Sequence, residues 1–154
     1  MDDPLIDTWN IHNRINLYLL KAIGPEALKS LPVGARTRDV ARMFAHMHQI
    51  RLAWLETAAP ELLEGFEKIG AKQVLDQKLL HHSLERSGQA IAALLQKGIE
   101  TGKIKGFRPH PAAFLGYVIS HEAYHRGEIC MALSQAGHPL DDKVMYGQWD
   151  WGRR

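Results

Sequence analysis

A single cysteine, Cys130, means that no disulfide can form within the chain, so its stability must come from a packed core. No apolar run approaches the ~18 residues that a membrane-crossing helix needs. The opening Met1-Asp2-Asp3-Pro4 has none of the basic and apolar character of a secretory leader. An excess of charge is also missing: 19 basic and 17 acidic residues leave a net +2 with both signs scattered, so nothing electrostatic favours a nucleic acid or a membrane surface. There is no internal repeat and no low-complexity tract. These absences leave a single domain over residues 1–154, long enough to bury a real core and expected to be soluble and cytoplasmic.

What the chain does have is histidine, nine in all, and two of them stand in the stretch ISHEAYHRGEICM from Ile119 to Met131. His121 and His125 are four apart, so a helix projects them from one face a turn apart, within reach of one ion. Phe114 and Val118 before the pair, and Ile129, Ala132 and Ala136 after it, continue that face and point it into the core. Buried imidazoles need partners for their ring nitrogens. A divalent metal with one or two further ligands provides them, and hydrogen bonding within the core is the plainer alternative.

HEAYH also matches HExxH, the zinc-peptidase pattern in which the glutamate is the general base. The extended form is not met, because Gly127 sits one position early and Met131 stands where a third histidine belongs. The 23 residues after Met131 hold no acidic helix for the other peptidase arrangement. A peptidase is therefore the remote reading, and the third ligand is expected upstream. Glu122 lies about 100° around the helix from His121 and is poorly placed as a base at the metal. The residues that remain as catalytic candidates are Tyr124, Glu122 and His12.

Helical periodicity divides the chain into four segments, at about 5–23, 39–57, 71–97 and 110–135. In the first, Leu5, Trp9, His12, Ile15 or Asn16, and Leu19 mark the inner face, and Gly24-Pro25 stops it. The second starts at the N-cap Asp39 and carries Met43, Phe44, Met47, Ile50, Trp54 and Leu55 inward. On it, His46 and His48 are roughly 200° apart and flank the apolar stripe on opposite sides, so periodicity does not choose between them. For the third, the expected inner stripe is Val74 or Leu75, Lys78 or Leu79, His82, Arg86, Gln89 or Ala90, and Ala93 or Leu94, with Gly98 as its end and a solvated loop at 100–109. The fourth carries the histidine pair and stops at Gly137. Gly127 within it suggests the close approach of a neighbouring helix or ligand. The aromatic tail, 140–154, is expected to pack on the bundle or on a second subunit. Four helices of roughly 20 residues and ~30 Å, with one or two crossover loops, make an all-α four-helix bundle.

Three stretches, DVARMFAHMHQIRLAWL, HEAYHRGEI and the closing WDW, together with TWNIHNRINLYLL at the start, resemble the DinB/YfiT-like family of damage-inducible, metal-dependent bacterial bundles. The resemblance covers nearly the whole chain. It implies that one histidine of the second helix joins two of the last helix around a divalent ion with positions open to water. Carried over by position, the ligands are His46, His121 and His125, with His48 as the fallback for His46. Three nitrogen ligands suit zinc or nickel, with iron or copper also open, and the resemblance further implies a homodimer. It implies thiol S-transfer or hydrolysis on a small molecule, with a low-molecular-weight thiol such as bacillithiol or mycothiol as cosubstrate. A metal-binding stress-response protein without turnover, or a dimeric interaction module, are the competing readings. Glu128 replaces the glutamine common in the family and is expected to bring negative charge to the site or to pair with Arg126.

Overall fold

The computed structural model describes residues 3–36 and 38–154. Helix α1 spans Pro4–Lys21, α2 Val40–Ala58, α3 Gln77–Thr101, α4 Pro111–Gln135 and the short α5 Asp142–Gly147, with no strand among the described residues. Local chemistry sets the helix starts. Asp3, Asp39, Asp76 and Asp141 each accept a hydrogen bond from an otherwise orphaned amide of the first turn, at 2.7–2.9 Å. His110 does the same for α4 through Nδ1, with Pro111 in the first turn. At the other end of α4 the amide of His138 reaches back to the carbonyl of Leu133 at 2.8 Å, across Gly137 at φ +82°, which closes the helix with a left-handed cap.

The four long helices form the expected bundle, in which α3 packs along both α1 and α2, and α4 rests mainly on α2 and α1. Two apolar clusters fill it. One centres on Leu19, Phe44, Met47, Leu84 and Ile129, the other on Trp9, Leu55, Ile91, Leu95 and Phe114. Between them lies a layer of buried polar side chains with contributions from every long helix: His12, Asn13 and Asn16 of α1, Arg51 of α2, Ser87 of α3 and Glu122 of α4. This layer accounts for His12, Asn13 and Asn16 among the buried positions of α1.

Several boundaries differ from expectation. Helix α3 begins at Gln77 and not near residue 71, because Asp76 supplies its cap, and it runs through Gly98 to Thr101, where Gly102 takes φ +74°. Gly98 is inside the helix to admit a neighbour: a Cβ there would sit 2.3 Å from Cδ1 of Ile104. The buried stripe of α3 is Leu80, Leu84, Ser87, Gly88, Ile91, Leu94 and Leu95, turned away from His82 and Arg86. Small, polar-looking Ser87 and Gly88 disguise it. Trp9 donates to the Gly88 carbonyl at 2.8 Å, and Asn13 occupies the space that a side chain at Gly88 would need.

The 100–109 loop is not wholly solvated, since Ile104 is buried and Phe107 packs edge-on against Trp54 and Phe114. Among the described residues no neighbour lies within 4 Å of the Cβ position of Gly127, so close approach of one of their helices does not explain it, and Ala136 is exposed beyond the end of α4. The tail folds back on the bundle: Arg154 lies over the Tyr18 ring, Tyr18 donates to the Lys143 carbonyl at 3.2 Å, and Gly147 leaves room for the Tyr18 hydroxyl.

Candidate metal centre

The facing sides of α2 and α4 bring His46, His121 and His125 together. One ring nitrogen from each lies within 4.8 Å of the others. The Nε2 atoms of His121 and His125 are 3.0 Å apart, and the ring of His46 stands edge-on to both, with centroids 5.4 Å and 4.8 Å away. Two nitrogens bound to one ion at about 2.0–2.1 Å would be separated by roughly 2.9–3.4 Å, depending on the coordination angle.

Burial and neighbouring positive charge favour the neutral form of His46 and His121. Burial, then the positive Arg38 and the other two histidines, push His46 down to about 4, and burial followed by His125 lowers His121 from its ordinary value. Neutral imidazoles have lone pairs to offer. His125 donates from Nδ1 to the Glu128 carboxylate at 2.7 Å, which leaves its Nε2 as an acceptor directed at the cluster. Nδ1 of His121 is buried without a hydrogen-bond partner among the described residues. The donor set, its tautomer on His125 and its geometry all fit a divalent ion.

His48 is elsewhere. It is 2% exposed on the opposite side of α2, beside Phe66, and burial followed by Arg51 pushes it down to about 4. The two-residue step between His46 and His48 places one toward α4 and the other toward α3.

Glu122, the residue between the histidines, turns into the middle of the bundle. Its carboxylate receives Arg51 through Nε at 2.6 Å and Nη2 at 2.8 Å, His12 Nε2 at 2.8 Å and Asn16 Nδ2 at 2.7 Å. Burial alone would raise this carboxyl, but Arg51 and His12 overrule it and hold it below the usual carboxylate range. Arg51 is in turn held by the Leu84 carbonyl and by Asn13, at 2.8 Å and 2.9 Å.

Arg126 does not pair with Glu128. It donates to Asn16 Oδ1 at 2.7 Å and meets His12 Nδ1 at 3.3 Å. With an acceptor at Nε2 and a donor at Nδ1, His12 is assigned as the neutral Nε2–H tautomer. It is committed to the polar layer and does not reach the cluster. Tyr124 flanks the site, its ring edge-on to His125 at 5.3 Å and its side chain largely exposed.

Arg51 escaped the sequence reading, although it lies four after Met47 and four before Leu55, on the inner stripe itself. A charged residue on that stripe opposite an acid on another helix was the available signal.

A helical bundle carrying a three-histidine cluster compatible with metal binding, between its second and fourth helices, defines the class of protein. The family model of the DinB family matches residues 1–150, and the chain belongs to that family. No curated protein and no solved structure gives a match.

Proposed function

We propose that His46, His121 and His125 hold one divalent ion, zinc or nickel before iron or copper, and that the chain is a metal-dependent thiol S-transferase or hydrolase acting on a small molecule. The observation that carries this reading is the convergence of three imidazoles from two helices, one of them oriented by a carboxylate. The ion, when bound, would supply Lewis acidity and a place for a thiol sulfur or a water.

The chain's own residues do the rest. Glu128 fixes the tautomer of His125 and raises its basicity as a ligand. Along the same α2/α4 face, Trp54 and Tyr117 stack edge-on at 5.7 Å and offer an apolar wall for a substrate body. Tyr124 stands beside His125 as the proton donor with most access to solvent. Glu122 is consumed by Arg51, His12 and Asn16, which removes the general base that a peptidase reading requires. Exposed Tyr146 and Trp149 support a homodimer, for which gel filtration should return about twice the 17.4 kDa chain mass; elution at the mass of one chain would remove that assembly.

The test of the reaction class uses cobalt(II) in place of the native ion. Adding a low-molecular-weight thiol to the cobalt protein should produce a sulfur-to-metal charge-transfer band, and turnover should follow with an electrophile. A spectrum indifferent to thiol at millimolar concentration would leave hydrolysis as the supported branch.

A further inference from the structure

A second cleft, of about 300 Å³, opens on the other side of α2 from the histidine cluster, between α2, α3 and the segment that joins them. His48 lies against it, nearly fully buried, and its Nδ1 has no hydrogen-bond partner among the described residues. A buried polar atom in that condition calls for a partner from outside the chain. One wall is Arg86. Its guanidinium lies over the Phe66 ring, 4.5 Å from the centroid, and donates through Nη1 to the Gly65 carbonyl at 3.1 Å. Nε and Nη2 remain unspent on a fork already held in position. Lys68 and Ser83 also line the cleft. Glu67, exposed at the rim, is the carboxylate set against them. Two cationic side chains, Arg86 and Lys68, therefore stand against one carboxylate, Glu67, around a space large enough for a small metabolite.

We infer that this cleft binds a small oxyanion that carries a hydroxyl, with its acid oxygens on Arg86 and Lys68 and its hydroxyl on Nδ1 of His48. The guanidinium fork matches two oxygens of one carboxylate or phosphoryl group. An imidazole nitrogen exchanges one hydrogen bond with a hydroxyl whichever partner holds the proton, so the hydroxyl completes what a simple anion would leave unmet. A 2-hydroxycarboxylate and monohydrogen phosphate share this chemistry. The site is separate from the histidine cluster, because His48 and His46 leave α2 on opposite sides.

The test follows the histidine side-chain nitrogens by NMR while lactate, inorganic phosphate or acetate is added to the full-length protein. Lactate or phosphate should shift the His48 resonances saturably, and whichever binds more tightly identifies the acid group. Acetate, lacking the hydroxyl, should bind roughly tenfold more weakly. Lys68→Ala, at an exposed position, and Arg86→Gln should each weaken the preferred probe by roughly tenfold, while His46→Ala leaves it unchanged. The inference is overturned if His48 does not respond to either hydroxylated probe, if both charge variants bind as wild type does, or if His46→Ala abolishes the response and so moves it to the other site. Should Arg86→Gln fail to fold, Lys68→Ala and the acetate comparison still decide.

Discussion

Glu122 and His125 lie three residues apart on one helix and belong to opposite kinds of place. Around Glu122 every polar atom is matched: four donors meet two carboxylate oxygens, and the Arg51 guanidinium is itself held by the Leu84 carbonyl of α3 and the Asn13 amide of α1. Around His121 and His125 the ring nitrogens crowd one another, and one has no partner among the described residues. A satisfied buried network fixes how the helices sit. A cluster of three imidazoles, only partly covered, is compatible with holding an ion. The HExxH match joins these two roles in one pentapeptide, and only the packing of α4 separates them.

The sharpest way to break this comparison is Glu122→Ala. It strands the Arg51 guanidinium in the core and should cost on the order of 3–5 kcal/mol in a denaturant titration, while Arg51→Met with Glu122→Leu should recover most of that loss. A single variant as stable as wild type would mean that the network does not hold the bundle. His125→Ala is the converse: metal retention should be lost, yet the unfolding free energy of the metal-free protein should move by less than about 1 kcal/mol, as for a partly open site. Glu128→Ala comes next, with metal affinity expected to fall by about 10–100-fold in a competition assay and the fold unchanged by circular dichroism; an unaltered affinity would strip Glu128 of its orienting role.

The smallest effect is that of pH. His48 is pushed down from 6.5 to about 4 by burial first, and His12 is lowered for the same leading reason. A depressed histidine takes up its proton in the unfolded chain before it does in the fold. Its contribution is therefore fully present above pH 6.5 and is lost as pH falls from there toward about 4. Urea midpoints between pH 7.5 and 4.5 should show that decline, and His48→Gln should flatten part of it. A midpoint that is constant or rises on acidification would contradict the burial of neutral rings.

The bundle was legible because local chemistry writes it: Asp39 at the cap of α2, Gly24-Pro25 after α1, Gly137 at the end of α4, and apolar spacing along α1, α2 and α4. The phase of α3 was not, because Ser87 and Gly88 read as surface positions and face inward only where Trp9 and Asn13 come to meet them. The polar layer was hidden for a similar reason. Arg51 and Glu122 are each improbable core residues alone, and only their encounter across 71 positions of sequence makes them reasonable. The choice between His46 and His48 turned on which neighbouring helix stands on which side of α2, information that no window of local sequence contains. Family resemblance pointed to His46, and the geometry places that residue beside His121 and His125.

The most direct measurement is the metal content and affinity of purified wild type beside His46→Ala, His48→Ala and His125→Ala. The account predicts about one divalent ion per chain in the wild type and in His48→Ala, and loss of it in the other two. A wild type that binds neither zinc nor nickel when offered them, or an ion lost with His48 and kept without His46, would contradict it.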